Sequence, residues 1–116
     1  MGLRAKDVVL SASAQATLSR LESSATYPRE KSIAKRVRQL GPTLREDCLH
    51  GEVVRKRFLP RSLVEKYRIG NLYVEDLPDF WRLLYAITHA GSERFVIVLE
   101  ILDHKAYDSL FPGRGR

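Results

Sequence analysis

The stretch "NLYVEDLPDFWRLLYAITHAGSERFVIVLEIL", residues 71–102, decides the fold. It divides into three apolar, β-rich runs, Leu72 to Leu77, Trp81 to Thr88 and Arg94 to Leu102, broken at "PDF" and "HAGSE". Connections this short, the second containing Gly91, join antiparallel neighbours in a meander. The last run, "RFVIVLEIL", is apolar at both alternating sets of positions, as a central strand covered on both sides is. In the middle run, alternation puts Phe80, Arg82, Leu84 and Ala86 on one face and Trp81, Leu83, Tyr85 and Ile87 on the other. The second set is the better core, so Arg82 belongs to the less apolar face. There it can pair with Glu75, Asp76 or Asp79, or its guanidinium fork can hold a phosphate.

Upstream of the meander the period changes. Val8 to Leu10 is a short apolar run, and Ser11 or Ser13 can cap a helix whose stripe is Ala14, Leu18, Leu21 and Ala25. A second stripe, Ile33, Val37, Leu40 and Leu44, follows Pro28, which suits a first helical turn. Gly41 and Pro42 conflict with an unbroken helix, because Pro42 offers no N–H to the Arg38 carbonyl and its ring crowds that carbonyl. A kink or break is expected there, and Gly51 is expected to close the helical region. Pro60 is placed to begin a short turn through Leu63, Val64 and Tyr67. The order predicts an α+β fold: an N-terminal strand and a two-helix hairpin on one face of an antiparallel sheet of about four strands. The other face is left for function. One domain is expected over residues 1–111, and the tail "FPGRGR", without a core residue after Phe111, is expected to be mobile over residues 112–116.

Composition narrows the class. A chain of 116 residues with 44% hydrophobic and 29% charged residues builds one core without staples. No apolar run approaches the roughly 20 residues that span a bilayer, so no membrane segment is expected. The start, "MGLRAKDVVL", lacks an apolar signal core, and Cys48 has no second cysteine to join, so a cytoplasmic location is expected. Cys48 reads as a packing residue. Between Pro28 and Arg68 there are 12 Lys or Arg and 5 Asp or Glu, whereas the remainder holds 8 and 9. This middle excess fits a polyanion partner, and it equally fits a solvated helix face turned to an acidic protein.

The candidates for chemistry follow the third run. His104 comes directly after it in "ILDHKAYDSLF", with Lys105 beside it and Tyr107 three residues on. A histidine titrates near neutrality and suits proton transfer to or from a leaving oxygen. His50 and His89 stand in loop-like contexts and read as surface residues. No histidine pair has zinc-ligand spacing and no Gly-rich loop is present to cradle phosphate, so no cofactor is expected.

The series "LPRSLVEKY", "NLYVEDLPDFWRLLYAI" and "VIVLEILDHKAYDSLF" resembles the RelE/ParE superfamily of toxin–antitoxin toxins, particularly its archaeal-type branch, over roughly Gly51 to Phe111. The resemblance implies a twisted antiparallel sheet backed by two helices, with a concave face that binds RNA. It implies cleavage of messenger RNA in the ribosomal decoding site, the 2′-hydroxyl attacking the adjacent phosphate. By position, Arg82 matches the strand arginine that holds the scissile phosphate, His104 the C-terminal general acid or base, and Tyr107 an aromatic or histidine used in some members. Two lysines that the best-studied branch carries on the strand before the arginine are absent. Glu75 and Asp76 stand there instead, and Glu75 is carried as a further catalytic candidate. Arg55, Lys56, Arg57, Lys66, Arg68 and Lys105 are the candidates to contact nucleic acid, with Arg55 or Lys56 in the place of the missing lysines. The implied partners are an acidic antitoxin, the ribosome and messenger RNA, with a homodimer or a toxin–antitoxin heterotetramer as the assembly. A ParE-like inhibitor of DNA gyrase without catalysis, or a degenerate homologue that only binds an antitoxin, fits the same resemblance.

Overall fold

The computed structural model describes residues 2–111; the expected basic tail lies outside them. The elements run β1 (Asp7–Leu10), α1 (Ala12–Glu22), α2 (Pro28–Glu46), β2 (Glu52–Val53), α3 (Arg61–Tyr67), β3 (Tyr73–Asp76), β4 (Arg82–Ala90), β5 (Glu93–Leu102) and α4 (His104–Leu110), with short 3-10 turns at Lys56–Phe58 and Pro78–Phe80. The class is α+β, and the described residues form four helices and one mixed sheet. The strand order is β1-β5-β4-β3-β2. The meander over β3, β4 and β5 is antiparallel as expected, but β1 runs parallel to β5 and the two-residue β2 adds a fifth strand. A wholly antiparallel sheet of about four strands is therefore corrected to five strands with one parallel pair.

The helices begin where the sequence supplies caps. Ser11, rather than Ser13, is the N-cap of α1, its hydroxyl accepting the Ala14 N–H. Ala14, Leu18 and Leu21 of that helix are buried, while Ala25 lies beyond its end and is exposed. In α2, Ile33, Val37, Leu40 and Leu44 are all buried, and the helix runs unbroken through Gly41 and Pro42 to Glu46. The expected break is absent because Leu40 and Leu44, on either side of it, are both fully buried. Their burial offsets the roughly 3 kcal/mol that an interior proline costs a helix. A Cβ at Gly41 would meet nothing within 4 Å, so Gly41→Ala is expected to raise stability by about 1 kcal/mol, read as a higher urea midpoint with unchanged slope.

Two cores sandwich the sheet. One joins α1 and α2 to Leu83, Tyr85, Val96, Val98 and Ile101. The other joins Val54, Leu63 of α3 and Phe111 to Val74, Leu84, Ala86 and Leu99. Helices are thus not confined to one face, and the face expected to be bare is largely covered by α3 and α4. These two helices have seven residues each, Arg61–Tyr67 and His104–Leu110. A bulge in the β4–β5 ladder, where Leu84 faces Glu100 but Tyr85 faces Val98, leaves Leu99 unpaired. This extra residue is why Val98 and Ile101 share one face and Leu99 lies on the other.

Gly51 does not end a helix; α2 stops at Glu46. Instead the chain at Gly51 crosses the Tyr85 side chain so closely that a Cβ would come 3.0 Å from its hydroxyl and 2.9 Å from the Val74 carbonyl oxygen. The buried Tyr85 hydroxyl donates to the Cys48 carbonyl (2.7 Å) and accepts the Gly51 N–H (2.9 Å). Cys48 is fully buried, as a packing residue, and burial pushes its thiol pKa up.

Candidate functional site

Arg82 opens β4 and sits directly opposite Asp76 of β3 and Leu102 of β5. Its Nε lies 3.1 Å from the Asp76 carboxylate, and one terminal nitrogen donates to the Trp81 carbonyl at 3.1 Å. The guanidinium carbon stands 5.3 Å from the centre of the Tyr107 ring. The two ions differ in exposure: the Arg82 side chain is 22% exposed and that of Asp76 is 86%. The cation is fixed in place by packing while its counterion remains in water, so an incoming anion can replace the carboxylate at small cost.

Strand register decides which carboxylate joins Arg82. Tyr73 and Glu75 pair with Tyr85 and Leu83 and share the α1/α2 face, whereas Val74 and Asp76 pair with Leu84 and Arg82. Glu75 thus points away from Arg82 and is corrected as a candidate of this site. Its carboxylate is 8% exposed and binds His50 Nδ1 at 2.6 Å. His50 is then not a plain surface residue; its ring is oriented by that carboxylate, a pairing across 25 positions that no local pattern signals. His89 is exposed, as expected.

The connection between β3 and β4 is tight. Leu77 N–H bonds the Trp81 carbonyl, Trp81 N–H bonds the Pro78 carbonyl, and the two residues between, Asp79 and Phe80, both have positive φ (61° and 63°). Hairpin turns with positive φ at both central residues favour Asn-Gly or Asp-Gly. Here Phe80 occupies the glycine position and is 68% exposed.

His104 begins α4 after Asp103, whose carboxylate caps the helix by accepting the Ala106 N–H at 2.8 Å. The His104 side chain is 60% exposed, with Nε2 3.2 Å from Asp108 and its ring 5.8 Å from that of Phe80. Tyr107, one turn along, has its ring against Phe111 at 4.9 Å and faces Arg82. The structure therefore brings Arg82 and Tyr107 into contact, adds Asp76, and sets His104 beside them through Phe80. Sequence reasoning weighed Asp76 without placing it and did not single out Phe80 as a functional residue.

The basic candidates belong to α3 and its C-cap, the turn before it and α4. Arg55, Lys56 and Arg57 are exposed around the 3-10 turn before α3, with Arg57 over the Phe58 ring at 4.9 Å. Arg68 caps α3 in the left-handed conformation at φ 55°, and Lys105 is exposed on α4. Lys66 is more committed: its ammonium lies 3.5 Å from Glu100, and the Tyr67 hydroxyl followed by the Glu100 charge pushes its pKa up. Glu100 also accepts from Tyr67 at 2.8 Å and from Ser13 at 2.7 Å.

Among the described residues no group of three or more His, Cys, Asp or Glu is placed to hold a metal ion, and no helix is long and apolar enough to cross a membrane. Comparison with protein-family models, curated proteins and solved structures finds no match to the chain. The chemistry of the site therefore rests on its own geometry.

Proposed function

We propose that the chain is a RelE-like toxin of a toxin–antitoxin system, a ribosome-dependent endoribonuclease that cleaves messenger RNA. The single observation that carries this reading is the convergence of Arg82, Asp76 and Tyr107, with His104 adjacent through Phe80, at the start of β4. The antiparallel β3–β5 meander and the α1–α2 pair packed on it support the finer RelE/ParE-like arrangement. On this reading the scissile phosphate displaces Asp76 from Arg82, and the freed carboxylate accepts the proton of the attacking 2′-hydroxyl. The oxygen–phosphorus bond to the 2′ position forms, the bond to the 5′-oxygen breaks, and His104 donates a proton to that leaving oxygen. Tyr107 holds the guanidinium plane. The products are a 2′,3′-cyclic phosphate and a 5′-hydroxyl end. The partners are the ribosome, messenger RNA and an acidic antitoxin that silences the basic face, as a homodimer or heterotetramer, in the cytoplasm.

A second reading, a binding toxin of the ParE kind without catalysis, is favoured by one observation: Arg82 and His104 each already have a carboxylate at about hydrogen-bond distance. Expression in growing cells with primer extension on translated messages separates the two. His104→Ala and Asp76→Asn are each expected to lower cleavage by about 100-fold or more. Growth arrest without cleavage in the ribosomal A site would retire the nuclease reading in favour of the second.

A further inference from the structure

We infer that Phe80, with the His104 ring beside it, is a stacking platform for one unpaired nucleobase of the bound RNA; this rests on the reading of the Arg82 face as an RNA interface. The inference starts from two costs borne at one residue. Phe80 is the most exposed of the large hydrophobic residues described, and its backbone has φ 63°, a conformation that suits glycine and disfavours a bulky side chain. Its neighbour Asp79 is left-handed as well, at φ 61°. Glycine at position 80 would relieve the backbone and remove the exposed ring, so neither folding nor solubility accounts for phenylalanine there. Outliers of this kind, held in place by a well-determined surround, mark sites of function.

The surroundings select the ligand. Phe80 faces His104 at 5.8 Å with the ring planes tilted by 58°, which leaves both aromatic surfaces accessible at 68% and 60%. Four carboxylates nearby have partners: Asp76 in Arg82, Asp79 in Arg29 at 3.1 Å, Asp108 in the His104 ring, and Asp103 in the Ala106 N–H. Asp76 and Asp79 thus each have a guanidinium partner, and Arg55, Lys56, Arg57, Arg68 and Lys105 are exposed on α4, at the end of α3 and in the turn before α3. A planar group attached to a phosphate fits this layout: a base on the aromatic pair and its phosphate on Arg82. Phe80 stands only two residues before Arg82, within about 7 Å along an extended chain, so the stacked base belongs to a nucleotide at or next to the one whose phosphate Arg82 holds. Phe80 is thus a positioning residue, not a catalytic one. The competing occupant is protein. A cleft of about 570 Å³ lined by Tyr27, Ile33 and Trp81 opens on the other side of the same turn, and Phe80 of a second copy is the right kind of group to enter it.

The test uses the full chain and short single-stranded RNAs, 2′-O-methylated so that they cannot be cut, in which each base in turn is removed to leave an abasic sugar. Fluorescence anisotropy is expected to show that Phe80→Gly weakens binding by roughly five- to one-hundred-fold, the range for one stacked base. One abasic position should weaken the wild type by a similar factor and Phe80→Gly by nothing further. Phe80→Trp should restore affinity, and the thermal midpoint of Phe80→Gly should be unchanged or higher. Equal RNA affinity of wild type and Phe80→Gly overturns the proposal, as does abasic loss that adds fully to the Phe80→Gly loss at every position. A wild type that does not bind these RNAs overturns it too. So does a dimer, seen by sedimentation, that Phe80→Gly dissolves while RNA binding stays intact; that result assigns the ring to a second copy. Cleavage on programmed ribosomes is measured separately: binding that depends on Phe80 without any cleavage leaves the platform standing and removes the nuclease.

Discussion

If the chain is the proposed nuclease, Arg82→Ala is expected to lower cleavage of ribosome-bound message by about two to three orders of magnitude, the usual loss when one preorganised donor to a developing oxyanion is removed. The geometry makes this a clean test. The guanidinium is fixed by the Trp81 carbonyl and the Tyr107 ring, so its donors are in place before the phosphate arrives. Its carboxylate partner, Asp76, is almost fully in water, and a pair of that kind contributes at most about 1 kcal/mol to folding. The variant should therefore keep a thermal midpoint within a few degrees of the wild type while losing activity. Arg82→Lys should recover only part of the rate, because an ammonium lacks the planar fork that two phosphate oxygens accept. Cleavage at the wild-type rate by Arg82→Ala in a single-turnover assay would remove the arginine from the chemistry.

The second large effect is on stability. Tyr85→Phe removes a buried hydroxyl that serves two main-chain groups, the Cys48 carbonyl and the Gly51 N–H. Leaving both without it should cost roughly 2–4 kcal/mol and lower the thermal midpoint by about 10–20 °C. Burial raises the Tyr85 pKa well above its ordinary value, the nearby Gly51 N–H opposing this only in part. The folded state thus favours the neutral phenol. Its stabilisation is complete below the unfolded-state value near 10 and is lost as pH rises past it. Denaturant titrations from about pH 9 to 12 should show the wild type losing stability more steeply than Tyr85→Phe, although the variant starts lower. Parallel slopes in the two proteins would mean that Tyr85 does not govern the alkaline limb.

Alternation alone placed Arg82 on its face, because Leu83 and Tyr85 are unmistakable core residues and the middle run is long enough to count along. The carboxylate beside it was not legible. Choosing between Glu75 and Asp76 requires the length and shape of the turn at Pro78–Phe80, and that turn carries no glycine to announce its two positive φ angles. One position of slip in register exchanges the two faces. The turn from Pro60 through Tyr67 was legible and is α3, but the face it covers was not, and α4 has seven residues, too few to show a helical period clearly. At Pro42 the local rule was sound and lost to tertiary burial of Leu40 and Leu44. His50 and Glu75 meet only through the fold.

The parallel pairing of β1 with β5, Asp7 beside Phe95 and Leu10 beside Val98, bears on when the protein can act during its own synthesis. β1 is synthesised well before β5, so it waits for β2, β3 and β4 to follow before its partner exists. Arg82, His104 and Tyr107 also come from the final third of the chain. Long-range closure of this kind slows folding. A chain synthesised only as far as β4 would thus carry neither a closed sheet nor an assembled Arg82–Tyr107 contact.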